Sequence, residues 1–526
     1  MVGMDPERVE AARAALASEL AALDSVHAAI GRVRLASLNP LNYAIEPGSL
    51  ILAPAAIATT TIAMAMVTTA KSSAETLVGE LVAQIDQQQD ASAADAQSGS
   101  SASKTSPKNL SIPQLLAETA GMSASELTAF LANNPGYAAA LAKASSDPTA
   151  VAAWWKSMNT DPTSKTIVEK PSAAQLVLIN AMPGVIGSVD GIPYWARDQA
   201  NNIVLNRELA DPSTDPATRK TLEAVKLALG QGRNGSPPRE LVSLELGTNP
   251  KAAIAVGDLD KAVNVSYIVP GMGTTVSGDM GKLTTAAYDL RNEQAQVSGV
   301  DSSKIAVVAW LNYTPPNSSD VAGVMSNQLA ETGSDRLAAN LNGLDAVHAA
   351  EGNPAVVSVV AHSYGTDVAT LALTKAHADH LVLLGSAGVS HTITNAADLN
   401  VPNGQVFASQ GKDDQWAPIG QQISGRQDPT AAAFGAHDFS SEASTGPQGQ
   451  TLHAITEHGP DVNSGNNDKY SYLDKNTTAQ YDTAKATMGH GTQIPRGDTP
   501  ADRGFTLNQA KGDAAGQLLN PHGFEY

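Results

Sequence analysis

"VVSVVAHSYGTDVATLAL", residues 356–373, sets two kinds of periodicity on either side of one serine. Val356, Val357, Val359 and Val360 make a continuous β-branched run, the pattern of a strand covered on both faces. After the serine, Val368 and Leu371 stand at helical spacing. Between the two runs lies Ala361-His362-Ser363-Tyr364-Gly365. A strand-to-helix turn with small residues two before and two after a serine is a nucleophile elbow. The flanks must be small because so sharp a turn brings them against the neighbouring strand and helix. Ala361 stands where glycine is more usual, so the pattern is less specific taken alone, and a serine that merely caps the helix is the plainer alternative. The positive end of the following helix would favour negative charge developing at Ser363.

Outward from this turn, strand and helix patterns alternate. "ELVSLEL", "AAIAVGDL" and "KAVNVSYIVPG" read as three short strands joined by the tight turns "GTNPK" and "DLDK". "IAVVAWLNY", "AVVSVVAHSYG", "HLVLLGS" and "QVFASQG" follow, each separated by enough chain for a crossover helix. The spacing predicts an α/β fold over residues 236–490: a mostly parallel sheet flanked by helices, begun by an antiparallel edge.

A nucleophilic serine needs donors for an oxyanion, an acid and a base. One donor is expected from the N–H of Tyr364, the residue after Ser363. The other is expected from "VSYIVPGMGTTVSGD", where a strand ends in Pro270-Gly271-Met272-Gly273, with Met272 as the candidate. That glycine-rich loop lacks the lysine and the spacing of a phosphate-binding loop. For the acid, "QVFASQGKDDQWAPIG" offers Asp414 after a strand, with Asp413 in reserve; either could be a solvated turn carboxylate. Chain order then leaves His437, His453, His458, His490 and His522 for the base. "TLHAITEHGPD" reads as the last strand entering a loop, with His458 at its end and His453 inside the strand.

Composition bounds the rest. The 526 residues carry a net charge of −19, which argues against a polyanionic ligand such as nucleic acid. There is no cysteine, which removes disulfides, thiolate metal sites and cysteine nucleophiles. No histidine pair has zinc-ligand spacing, so no metal is expected. Residues 1–90 read as a helical hairpin broken at "NPLNYAIEPGS", and residues 91–109 as an Ala/Ser-rich flexible linker. Residues 50–70 are uncharged and as long as a membrane span, but Pro54, five threonines and many alanines favour a buried helix. The charged amphipathic start is unlike a cleavable signal peptide, which leaves a cytoplasmic location or leaderless export. Residues 110–235 read as a helical region leading into the sheet, and 491–526 as a surface tail whose "RGD" at 496–498 is a chance match.

Several segments jointly resemble the actinobacterial α/β-hydrolases with an Ala/Gly-His-Ser-Tyr-Gly elbow, a family grouped as a domain of unknown function. They are "AAWWKSM", "NAMPGVIGSVDGIPYWARDQAN", "AVGDLDKAVNVSYIVPGMGT", "AWLNYTPP", "AHSYGTDVA", "LVLLGSAGV", "FGAHDF" and "YSYLD", spread over residues 150–490. The resemblance implies a serine hydrolase fold without metal or organic cofactor. It implies Ser363 as nucleophile, Asp414 as acid and His458 as base, the last lying shortly before the Tyr470–Tyr472 segment. Here "GPDVNSGNNDK" lengthens the gap after His458, and His437 falls where the family often carries arginine. The front helices loosely resemble the small helical hairpins exported by type VII secretion, although no tryptophan precedes Trp154. The leading expectation is hydrolysis of a carboxylic ester, lipid and cell-envelope esters included. Amide and thioester cleavage share the same acyl transfer. The rival from another class is a catalytically idle, secretion-associated binding protein whose front helices engage a protein partner.

Overall fold

The structure, a computed structural model, describes residues 110–159, 171–230, 236–317, 327–459 and 468–497. The expected hairpin (1–90), linker (91–109), uncharged stretch (50–70) and most of the tail lie outside the described residues. All of these described residues up to Pro315 and from Asn327 onward belong to one compact unit.

The unit begins with helices α1 (Ile112–Ala117), α2 (Ala124–Asn133), α3 (Tyr137–Leu141), α4 (Pro148–Ser157), α5 (Ala173–Ala181) and α6 (Pro183–Ile186). Their starts are written locally. Ser123 and Glu126 form a reciprocal capping box at α2, as do Ser172 and Gln175 at α5. Asp147 caps α4 one residue before Pro148, where a missing N–H costs nothing. Leu127, Leu141, Trp155, Leu178 and Ile186 fill the core of this layer.

Helices α7 (Tyr194–Ala210) and α8 (Pro216–Leu229) lead to strands β1 (Arg239–Glu245), β2 (Lys251–Val256) and β3 (Asn264–Val269). Then come α9 (Val276–Ser298), β4 (Ile305–Leu311), α10 (Gln328–Glu351), β5 (Val356–His362), α11 (Gly365–Ala372), β6 (His380–Leu384), β7 (Val406–Ser409), α12 (Trp416–Ser424), β8 (His437–Asp438), β9 (Ser444–Thr445), β10 (Thr451–Leu452) and α13 (Thr478–Thr487). The eight-stranded sheet runs β1-β2-β4-β3-β5-β6-β7-β8. β2 is antiparallel to both neighbours, and every pairing from β4 to β8 is parallel. β4 is buried along its whole length, as its unbroken apolar run requires.

One expectation is corrected. "TLHAITEHGPD" does not supply the last strand of the sheet: Thr451–Leu452 pairs only with β9 in a two-stranded ribbon. The last strand is β8, in "FGAHDF", where Phe407↔His437 and Ala408↔Asp438 set its parallel register on β7. Both candidates are too short for periodicity to separate them, and only the partner strand decides. The start of the surface tail joins this edge: Phe439 bridges to Arg496, which also pairs with Asp438.

The helices ahead of the sheet are built into it. The Asp260 carboxylate, in the β2–β3 turn, accepts from the N–H groups of Tyr194 (2.9 Å) and Trp195 (2.8 Å) and so caps α7. The outer edge of β1 is covered by α7, whose Asp198 and Asn201 side chains take the N–H (2.6 Å) and C=O (2.8 Å) of Leu241. Beneath them Asp190 accepts from Arg197 (2.9 Å) and Asn340 (2.9 Å), and Asn340 in turn accepts from Trp310 (2.7 Å). The Asp190–Arg197 pair is almost wholly enclosed, at 6% and 3% side-chain exposure. Breaking one partner of such a pair strands a buried charge, so Asp190→Ala is expected to lose about 3–5 kcal/mol of unfolding free energy in denaturant titration. Arg219→Ala, whose guanidinium reaches only main-chain carbonyls on the outer face, is the comparison and is expected to lose far less.

Candidate active site

β5 ends at His362, and Ser363 follows with φ of +55°, in the left-handed region that a non-glycine residue adopts only when its surroundings impose it. The Ser363 N–H donates to Leu384 O on β6 (3.0 Å), and its carbonyl accepts from Thr366 (3.1 Å) as α11 begins. The small flanks have physical causes. A Cβ on Gly365 would lie 2.5 Å from both Val269 O and Pro270 O, so only glycine lets α11 start against the end of β3. Ala361 is fully buried in β5, opposite Val269.

The loop after β3 crosses directly over the serine. A Cβ on Gly271 would lie 2.5 Å from the Ser363 Cβ. Tyr313 holds this loop by donating its hydroxyl to Pro270 O (2.6 Å) while its ring stacks on Trp310. Met272 therefore follows a backbone in contact with Ser363, and Tyr364 opens the helix behind it. The Tyr364 ring lies under the Arg426 guanidinium, 5.3 Å from its centroid, and Arg426 is ion-paired at 3.1 Å with the wholly buried Asp367 of α11. This packing ties the first turn of α11 to the loop after α12.

Ser363 lies 95 residues before His458, and Asp414 44 residues before it, yet the three meet. The Ser363 Oγ lies 2.8 Å from His458 Nε2. On the other side of the ring, Nδ1 is 2.9 Å from each Asp414 oxygen. With Nδ1–H donated to a carboxylate, Nε2 carries the lone pair that faces the hydroxyl. Asp414 is 1% exposed and Ser363 6%, whereas the His458 side chain keeps 21%. Ser363 and Asp414 follow the carboxyl ends of the parallel strands β5 and β7, where open α/β sheets place their ligands, and His458 meets them there.

Asp414 has more donors than His458 alone. Its Oδ1 accepts the N–H groups of Trp416 (2.9 Å) and Ala417 (3.1 Å), and its Oδ2 accepts the Tyr472 hydroxyl (2.7 Å). Burial pushes this carboxyl up, but the His458 charge and the hydrogen bonds from His458, Tyr472 and Ala417 outweigh it, so it lies below the ordinary range. Gly385 makes the room: with φ of +50°, it would place a Cβ 2.7 Å from Asp414 Oδ2 and from the Tyr472 ring.

The remaining sequence candidates sit elsewhere. Asp413 faces solvent. His437, on β8, meets Ile494 O at 3.0 Å, and His453 lies beyond the end of β10, stacked on Tyr470 at 4.2 Å. His490 follows α13 beside Gln493, and His522 is outside the described residues. Among the described residues no cluster of three or more His, Asp or Glu is placed to hold a metal, and no helix is long and apolar enough to cross a membrane.

Sequence reading passed over Tyr472. It was visible only as part of "YSYLD", and no spacing says that a tyrosine 58 positions downstream will reach Asp414. Tyr472→Phe removes a buried hydrogen bond to a charge, worth about 1.5–3 kcal/mol, together with the hydroxyl that accepts the Gly411 N–H (3.0 Å). The expected result is a roughly 10- to 100-fold lower kcat/KM for a short-chain nitrophenyl ester. The sign of the pH effect follows from the donor's role: losing it raises the Asp414 carboxyl, so activity is lost at higher pH on acidification. A pH–rate profile of the two proteins checks both.

Fold and site together define a class, and sequence comparison agrees. A family profile described as alpha/beta hydrolase matches residues 247–422. Uncharacterized protein Rv2079 of Mycobacterium tuberculosis is 30% identical over 304 residues, 51% of this chain and 43% of that protein. Uncharacterized protein Rv0963c of the same organism is 31% identical over 191 residues, 34% of this chain and 69% of that protein. The chain belongs to the alpha/beta hydrolase family. Its match spans less than half the length of Rv2079. A solved esterase from the hyperthermophilic archaeon Pyrobaculum calidifontis is similar over 55% of this chain and 97% of its own, at 12% identity and a TM-score of 0.27.

Proposed function

We propose that this chain is a serine hydrolase that cleaves a carboxylic ester through an acyl-Ser363 intermediate. One observation carries the reading: the unbroken contact from Ser363 Oγ through His458 to Asp414, built on a serine held at positive φ. In this reading His458 Nε2 takes the hydroxyl proton as Ser363 Oγ attacks the ester carbonyl. Asp414 keeps the imidazole in the required tautomer and stabilises the imidazolium. The oxyanion is assigned to the main-chain N–H groups of Met272 and Tyr364, aided by the start of α11. The imidazolium then returns its proton to the departing alkoxide. Water repeats the sequence on the acyl-enzyme, releasing the carboxylic acid and restoring Ser363.

The substrate is assigned to small-molecule or lipid esters. The test is labelling by a fluorophosphonate with mapping of the modified peptide, beside turnover of nitrophenyl esters of increasing acyl length. Label on the peptide bearing Ser363, with ester turnover, is the expected result. Labelling elsewhere, or a protein inert to the probe and to every ester, overturns the reading in favour of an idle binding protein.

A further inference from the structure

His362 is the residue before the nucleophile, and the mechanism above gives it no task. It is 3% exposed, inside the end of β5. Its Nε2 is hydrogen-bonded to the main-chain carbonyl of His458. A carbonyl can only accept, so Nε2 carries the proton and Nδ1 the lone pair. That Nδ1 has no hydrogen-bond partner among the described residues. A buried acceptor left unpaired costs stability, and an apolar side chain of similar size would avoid the cost. The donor side of the ring is what remains to explain its presence.

We infer that His362 is a positioning residue: by donating Nε2–H to the His458 carbonyl, it fixes the base relative to Ser363. The inference rests on the hydrolase reading. His458 belongs to no helix or strand, and its flanking chain is tethered to the segment after it. Thr456 and Glu457 N–H donate to Tyr470 O (2.7 and 2.9 Å), and Tyr472 N–H donates to Gly459 O (3.2 Å). None of these contacts refers to the nucleophile. The His362 bond does, because His362 and Ser363 are adjacent on one buried strand end. It makes the 2.8 Å Ser363–His458 approach a property of β5.

The surroundings suit the task. The His362 ring packs tilted against His458, with centroids 4.7 Å apart, and against Tyr472 at 5.8 Å. The charged and titratable groups that face it are His458, Asp414 and Tyr472. Burial and the His458 charge push the His362 imidazole down to about 3, with the Asp414 charge and the hydrogen bond to the His458 carbonyl acting the other way. His362 is thus neutral when His458 takes the serine proton, and it adds no second positive charge beside the imidazolium.

The experiment compares His362→Gln, whose terminal amide can replace the Nε2–H donor, with His362→Met, which fills similar space without a donor. Steady-state kinetics on nitrophenyl butyrate, the rate of fluorophosphonate labelling, and thermal unfolding are measured for each full-length protein. In the Met variant kcat and the labelling rate are expected to fall together by about 10- to 100-fold, with KM within a few-fold of wild type. The Gln variant is expected to stay within about five-fold of wild type, as the retained donor requires. If the Met variant does not fold, His362→Asn takes its place, because its shorter amide falls short of the carbonyl. A folded donor-free variant with wild-type kcat overturns the inference. So does equal impairment of folded Gln and Met variants, which would assign the effect to ring packing. Wild-type protein that is not labelled at Ser363 overturns the hydrolase reading itself, and the inference with it.

Discussion

Replacement of Ser363 by alanine is expected to lower kcat for a nitrophenyl ester by about 10⁴- to 10⁶-fold, with thermal unfolding close to wild type. In the proposed mechanism the size follows from removing the atom that would form the acyl bond, which leaves only binding and oxyanion stabilisation. Near-wild-type folding is expected because the side chain deleted is one hydroxyl, 6% exposed, whose partner His458 keeps both Asp414 contacts. The backbone bonds that shape the turn, to Leu384 O and from Thr366 N–H, do not involve the side chain. The left-handed φ of +55° is retained, and alanine tolerates it no better than serine, so a small loss of stability is allowed for. Turnover in the alanine variant within ten-fold of wild type, at matched purity, would end the acyl-Ser363 mechanism.

The second large effect belongs to His458. His458→Ala is expected to lose about 10⁴- to 10⁶-fold in kcat, while His453→Ala and His437→Ala stay within ten-fold. The contrast is geometric. His453 gives up a ring stack on Tyr470, worth about 0.5–1.5 kcal/mol of stability. His437 gives up one hydrogen bond to Ile494 O at the sheet edge, worth about as much. Only His458 lies between Ser363 and Asp414. Its loss also has a signature in acid. The native Asp414 carboxyl lies below its ordinary value, so its contribution to stability is present above the usual carboxylate range and is lost as pH falls through the folded value. Without the His458 charge and hydrogen bond that carboxyl rises. His458→Ala is therefore expected to be less stable than wild type at neutral pH and to lose less stability on acidification, the two curves converging in acid. Circular dichroism against pH, run beside the kinetics of all three variants, checks both expectations.

What could be read in advance was local or periodic. The β-branched run ahead of Ser363, the small residues at 361 and 365, and the alternation of strands with crossover helices are determined within a few residues or by chain connectivity. They predict the parallel sheet, its antiparallel start and the turn that bears the serine. The capping residues Ser123, Asp147 and Ser172 likewise start helices where the sequence says they should, because a cap satisfies donors only two or three positions away. Chain order narrowed the base to five histidines, and only a likeness to other sequences favoured one of them.

The long-range choices were decided by tertiary structure. β8 is a strand because β7 offers it an edge at Phe407 and Ala408, whereas the more strand-like "TLHAI" finds a two-residue partner in β9 and a single bridge from His453 to Thr477. Asp414, and not its exposed neighbour Asp413, is turned inward, where the N–H groups of Trp416 and Ala417 and the Tyr472 hydroxyl converge on it. Tyr472 and His362 carry no motif of their own. Their hydrogen bonds, to a carboxylate 58 residues away and a carbonyl 96 residues away, exist only once the sheet has brought those segments together. A side chain's periodicity and neighbours in sequence fix the element it sits on. Which group it meets across the chain is set by packing, and in this protein the contacts that Asp414 and His362 make to His458, and Tyr472 to Asp414, are of that second kind.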